Sequence, residues 1–397
     1  MTFLQMHHIP HCLLVLAFSG SAAPENADRD ALGVLAEGYS RNRESFDAID
    51  CRFDYAQGKA ATIENALAGR FTERFVKQRG HWLVNGRAVL YQLLCAPELR
   101  EETERIKRED IDRRKSRASG SATPSEYLKV PCLDSEFLRN DSYSLHYAAS
   151  IRAGNLFSKT DQDGNGIRIT PFNVDFLAAD EYSNPARYIA EALAGQWDAK
   201  FDGTKRINGV DTLVARIGAK LEVTFGFDPA RNFLLVYSSY AGAKPGQRYY
   251  EAYVTAAREC SGGRWFPMRT VLVRNPDRGP PFHVREVTVV EVDVDSTPRA
   301  DRFRLEVPTG VQVSNVGHVE WITLDHPENV GINDLSLLHQ RCVEHGREYE
   351  ARRKKDEAMF DGAGEPLEQS GSRAALVLAC VVFAAGIVWL VVLKRRR

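Results

Sequence analysis

Hydrophobic and polar positions alternate most regularly between Gly209 and Pro308. Leu221, Val223, Phe225 and Phe227 interleave with Lys220, Glu222, Thr224 and Gly226, the period-two pattern of a strand with one dry face and one wet face. Phe303, Leu305 and Val307 repeat it against Arg302, Arg304 and Glu306, and Pro308 ends the run. The pattern predicts strands near Val210–Ile217, Leu221–Phe227, Phe233–Tyr240, Arg248–Arg258, Trp265–Arg274, Phe282–Asp295 and Arg302–Val307. Short connections such as Asp228-Pro229 predict antiparallel pairing between neighbours. In the strand from Phe282 the apolar parity changes, with Val287 and Val289 on one face and Val290, Val292 and Val294 on the other. That switch predicts a bulge, or a sheet curved enough to be covered on both faces.

The preceding chain shows shorter elements. Asp28–Glu44 reads as an amphipathic helix with Leu32, Leu35 and Tyr39 on one stripe. Strands are predicted near Ile49–Tyr55, Arg70–Lys77 and His81–Leu94, the last turning at Asn85-Gly86, and again near Tyr143–Ser150, Asn155–Lys159 and Ile167–Thr170. Short helices are expected at Val174–Ala179 and Pro185–Leu193. Glu98–Arg117 interrupts this pattern, pairing Glu101 with Arg105, Glu104 with Arg108 and Glu109 with Arg113 at helical spacing. Each such pair contributes about 0.2–0.5 kcal/mol, so a solvated helical arm is expected. Beyond the array, Asp334 is placed to cap a helix carrying Leu335, Leu338, Cys342 and Tyr349, which turns wholly charged through Arg352–Glu357.

Both ends carry membrane signals. Cys12–Phe18 is a short apolar run followed by small residues, which predicts a signal peptide over residues 1–22. Residues 361–373 read as a linker, and Ala374–Leu393 is apolar and uncharged. About twenty residues at about 1.5 Å each match a hydrocarbon core of about 30 Å, so a transmembrane helix is predicted over 374–393. Lys394, Arg395, Arg396 and Arg397 then predict a cytoplasmic tail, with the bulk of the chain extracytoplasmic.

Composition narrows the reading further. Fifty-two Lys and Arg against 53 Asp and Glu leave no basic field, which argues against a nucleic-acid partner. Outside the terminal segments stand Cys51, Cys95, Cys132, Cys260 and Cys342, an odd number without a Cys-x-x-Cys spacing. At least one is expected to stay free or to pair with another chain.

Candidate chemistry is sparse. Asp161–Gly166 opens like a calcium loop, but the twelfth position is Phe172 where a bidentate Glu belongs, so a turn is the better reading. His339, Cys342 and His345 lie on one helix, but its two histidines are about 240° apart around the axis and cannot share an ion. Hydrolase, metalloprotease and nucleotide-loop motifs are absent from the sequence. No metal, no cofactor and no enzymatic activity are expected. Val223, Phe225, Phe227, Tyr240, Tyr250, Trp265 and Leu272 are the candidates for an apolar ligand cavity, or equally for an ordinary core.

The order of elements, closing with FRLEVPTGVQV from Phe303 to Val313, resembles the half-β-barrel family of periplasmic lipoprotein carriers and receptors, the LolA and LolB type. The resemblance covers residues 28–316, with 98–117 as an insertion and 317–360 as a helical extension. It implies an α+β fold: a curved antiparallel sheet with an N-terminal helix and a helical lid, here Val174–Leu193, over a cavity for acyl chains. The predicted span makes a fixed receptor or sensor, as in the related RseB type, a better match than a shuttle. The expectation is a membrane-anchored protein of a bacterial envelope that binds lipid or lipoprotein acyl chains. The alternative is an interaction module with a solid core that binds an envelope protein.

Overall fold

A computed structural model describes residues 24–96, 99, 101, 105, 134–148, 153–158, 185–218, 222–242, 247–315 and 320–363. The predicted signal peptide, most of the charged arm expected over 98–117, the calcium-like turn, the first helix of the expected lid, most of the expected linker, the predicted 374–393 span and the basic tail lie outside the described residues. No helix among the described residues is long and apolar enough to cross a membrane. The chain forms two compact units, residues 1–342 and 343–397.

In the first unit, helix α1 (Pro24–Glu44) precedes a meander of β1 (Ala48–Ala60), β2 (Glu73–Asn85), β3 (Ala88–Cys95), β4 (Ser135–Arg139), β5 (Tyr143–Ala148) and β6 (Ala153–Ser158), with the short α2 (Ile63–Leu67) between β1 and β2. Helix α3 (Pro185–Leu193) leads to a second meander of β7 (Asp198–Ile207), β8 (Val210–Gly218), β9 (Glu222–Asp228), β10 (Leu234–Ala241), β11 (Arg248–Glu259), β12 (Trp265–Arg274) and β13 (Phe282–Asp293). Strand β13 pairs antiparallel with β1, joining the two meanders into one curved sheet. β15 (Gln312–Asn315) and β16 (Glu320–Thr323) extend that sheet past β6 to fifteen strands. β14 (Arg304–Val307) and β17 (Glu328–Gly331) form a separate pair, and α4 (Leu335–Ala363) follows.

Several expectations need correction. The array begins at β7, not at Gly209; Lys200, Asp202, Lys205 and Arg206 mask its alternation, and a register shift lies between Phe201 and Thr204. The expected strands Arg70–Lys77, from Glu73 on, and His81–Leu94, as far as Asn85, are one strand, β2, and the turn is the two-residue loop Gly86-Arg87 between paired Asn85 and Ala88. Gly86 takes φ 54°, which only a residue without a β-carbon adopts freely. The last strand, β14, leaves the main sheet, and β15 pairs parallel with β6, the exception to antiparallel order among the described residues. Asp334 accepts from the Gly331 amide through its carboxylate at 2.8 Å, while its carbonyl accepts from Leu338 N.

The parity switch in β13 is a bulge. Arg52 pairs with Glu291 and Phe53 with Val289, so Val290 has no partner and is 66% exposed. Its ejection returns Val287, Val289, Val292 and Val294 to one buried cluster with Cys51, Phe53, Tyr55 and Trp82.

Both faces of the sheet are covered. On one, termed the α1 face, Leu32, Leu35 and Tyr39 of α1 and Ile189 and Ala192 of α3 pack against β8 to β12. On the other, Leu83, Leu90, Leu138, Leu145 and Leu156 pack against Phe303, Leu305, Val307 and Leu338. Cys342 lies in that second core, its thiol 3.7 Å from the Val313 carbonyl, and the His339 ring lies tilted against Tyr143 with centroids 4.9 Å apart.

The second unit comprises the continuation of α4 and the residues beyond it. Residues 347–357 of the helix are exposed, with Arg352 and Arg353 near Glu348 and Glu357 at 3.7 and 3.5 Å. A helix polar on every side is held by such pairs rather than by a packed stripe.

Candidate functional site

The seven sequence candidates come together. Val223, Phe225, Phe227, Tyr250 and Leu272 are buried in one cluster, and Tyr240 and Trp265 pack against it half-buried. Strand alternation explains the convergence: Val223 pairs with Tyr240 and Tyr240 with Tyr250, while Phe225 pairs with Ser238, Ser238 with Ala252 and Ala252 with Leu272. Tyr240 stacks on Tyr250 with rings 5.8 Å apart and 9° between planes. Arg231 lies over the Trp265 ring at 5.4 Å.

Helices α1 and α3 occupy the space above these residues. Tyr39 meets the edge of Phe227 at 5.8 Å, and Tyr188 of α3 lies 6.1 Å from Phe225. Arg29 Nη2 donates to the Leu193 carbonyl at 2.7 Å, tying α1 to the end of α3. Burial of each large side chain here contributes about 1.5–3 kcal/mol. Of the predicted lid, the described part is α3, and it sits on the expected aromatic residues.

The same face continues across β13 and β1 into the first meander. Val254 pairs with Thr270, Thr270 with Val287, Val287 with Tyr55 and Tyr55 with Gln78. Farther on, Cys51, Trp82, Tyr91, Phe137, His146 and Asn155 form one cross-strand row. Ser135 Oγ lies 3.0 Å from His146 Nε2. Burial lowers the His146 pKa, favouring the neutral ring.

Sequence alternation missed several buried carboxylates on the opposite face, Glu251 and Glu286 among them. Glu251 accepts from Tyr237 and Tyr253 hydroxyls at 3.0 and 2.9 Å and from Arg248, which also donates to Asp277. Burial, then the Glu251 charge, raises the Tyr237 pKa to about 12 and pushes Tyr253 up as well. Glu286 accepts from Arg269 Nε at 2.7 Å, and Arg269 also donates to the Leu67 carbonyl at the end of α2. For Glu251 the signal lay in the flanking residues, because Arg248 and Tyr253 stand three and two positions away in β11; Glu286 has no such signal, because its partner Arg269 stands on β12. These networks hold strands and α2 together, and their acceptors are occupied.

A pocket of about 220 Å³ lies between β17 and the start of α4, lined by Glu328, Asp334, Leu337 and Arg341 among others. Arg341 closes one side by donating to Glu328 at 2.8 Å. Cys95 is disulfide-bonded, while Cys51, Cys260 and Cys342 are free thiols. The Cys95 partner therefore lies outside the described residues. Among the described residues no three His, Cys, Asp or Glu side chains are placed to hold a metal ion.

No family model matches the sequence, and no curated protein matches it. The chain is similar in structure to a DUF1329 family protein from Desulfovibrio piger, at 9% identity and a TM-score of 0.40, over 71% of this chain and 98% of that one. It is similar at the same identity and TM-score to a putative outer membrane lipoprotein-sorting protein domain from Vibrio parahaemolyticus, over 71% of this chain and 97% of the other. A Pseudomonas aeruginosa MucA/MucB complex matches at 10% identity and a TM-score of 0.22, over 66% of this chain and 92% of that chain. These structures match the LolA/LolB-like resemblance with its RseB variant.

Proposed function

We propose that the chain is a membrane-anchored, extracytoplasmic binding protein of a bacterial envelope, whose α1 face takes lipid or lipoprotein acyl chains. It is read as a binding module rather than an enzyme. The observation that carries this reading is the cover over Phe225 and Phe227. It consists of two helices, one of them the nine-residue α3, whose last carbonyl, that of Leu193, accepts from Arg29 of α1. Withdrawal of α3 would uncover Ile189, Ala192 and the aromatic floor together, and an acyl chain would replace that burial at about 25 cal/mol per Å².

The test is native mass spectrometry of the full chain, extracted in a neutral detergent, before and after organic extraction. A reproducible lipid-sized mass lost on extraction is expected. A bare chain that also refuses added fatty acids would overturn the reading.

One observation favours a second reading: the seven candidate side chains are already packed by the chain's own helices. In that case the core is solid and the surface binds an envelope protein. Deletion of residues 98–117 then abolishes capture of that protein, and unchanged capture removes the charged arm from consideration.

A further inference from the structure

Arg139 ends β4 on the α1 face, in a cross-strand row with Val84, Val89, Ser144 and Phe157. Among the described residues its guanidinium has no ion pair and no hydrogen bond, although it is half-buried. The nearby carboxylate, Asp141, is engaged instead by Arg87 at 3.5 Å. Burial lowers the Arg139 pKa; Asp141 opposes this and Arg87 adds to it, so the surroundings compensate the cation only in part. An arginine does not lose its proton in response, so an unpaired charge in such a place calls for an anion.

We propose that Arg139 is the anion-binding residue of the α1 face and takes the phosphate or carboxylate end of an acyl ligand whose chain lies along that face. The proposal rests on the lipid-binding reading and adds the polar end of the ligand to it. A guanidinium offers two parallel N–H donors that fit two oxygens of either group. Ser144 across the strand, and the Ser135 and His146 pair farther along the same face, supply neutral hydrogen-bonding groups beside the apolar Phe137 and Phe157.

The experiment compares the full chain, its Arg139→Met variant and its Arg139→Lys variant in a maltoside detergent. Equilibrium binding is measured for octyl phosphate, octanoate, octanol and inorganic phosphate, together with thermal unfolding. Octyl phosphate and octanoate are expected to bind the wild type about tenfold or more tighter than octanol. Arg139→Met should remove that preference while leaving octanol binding unchanged, and Arg139→Lys should keep part of it. Without ligand, Arg139→Met should unfold at the same temperature or higher, because no partner is lost. Equal binding of octanol and octyl phosphate by the wild type, or a preference that survives in Arg139→Met, would overturn the assignment while leaving the lipid reading in place. A lowered unfolding temperature in Arg139→Met would make the residue structural and also overturn it. Inorganic phosphate bound as tightly as octyl phosphate would make this a free-anion site and sink the acyl part. If no octyl compound binds, the lipid reading itself fails.

Discussion

Gly80 and Phe53 face each other across β1 and β2, and a β-carbon on Gly80 would stand 2.0 Å from Phe53 Cζ. The glycine keeps its place in the strand because the phenyl ring fills the volume a side chain would take. Phe53 is 1% exposed, so the ring has no free space to retreat into. Gly80→Ala is therefore expected to destabilise the fold by about 1–3 kcal/mol, the usual cost of overpacking. Urea denaturation measures it, and an unchanged midpoint would show that the ring shifts freely.

The bulge at Val290 makes a contrasting pair of substitutions. Val290 points into solvent, so Val290→Ser should change stability by no more than about 0.5 kcal/mol. One residue earlier, Val289 is buried beside Phe53, and Val289→Ser puts a hydroxyl into an apolar cluster at a cost of about 1–3 kcal/mol. The same denaturation experiment compares them. Equal losses at the two positions would mean that the register shift is not where β1 and β13 place it.

That bulge was legible because alternation is a strict count: Val287 and Val289 on one parity and Val290, Val292 and Val294 on the other require one extra residue if a single face is to be buried. The α1 stripe of Leu32, Leu35 and Tyr39 was legible for the same reason, and α3 was found at its predicted bounds. Alternation failed where charge covered it, as in β7, and where a strand was too short to show a period, as in β4. It also could not show partners distant in sequence. The pairing of β13 with β1, the parallel entry of β15 beside β6 and the separation of β14 are decided by which edges remain open once the meanders have formed. Convergence of the seven candidates followed from strand order, whereas their cover by α1 and α3 did not. That Arg139 has no ion pair among the described residues was invisible as well, since the nearby Asp141 makes the sequence look neutral there.

The free thiols differ in accessibility. Cys51 is buried, and burial, reinforced by the Asp50 charge, raises its thiol pKa far above the usual range; Cys342 is fully buried beside Val313. Cys260 is half-buried in the turn between β11 and β12. Since the thiolate is the reactive form, iodoacetamide at neutral pH should label Cys260 in the native chain and reach Cys51 and Cys342 only after denaturation. Peptide mapping of the alkylated protein checks this. Native labelling of Cys51 would contradict the closed packing of the central cluster.

Asp50 links stability to pH. Its carboxylate has His81 Nε2 at 2.8 Å and accepts from Arg302 at 2.6 Å, joining β1, β2 and the turn before β14. Burial by itself raises the Asp50 pKa, but the hydrogen bonds and charges of His81 and Arg302 outweigh it and leave the group below its ordinary 3.8. A carboxylate depressed in the folded state contributes stability that is complete above its unfolded pKa and is lost as pH falls through the folded value. Asp50→Asn should therefore be less stable than the wild type at pH 7, and the gap should narrow as pH drops below about 4. Denaturation midpoints taken from pH 7 to pH 3 read the difference directly. A gap that stays constant over that range would show that the two partners hold the asparagine as well as the carboxylate, and that the charge on Asp50 contributes nothing to the join.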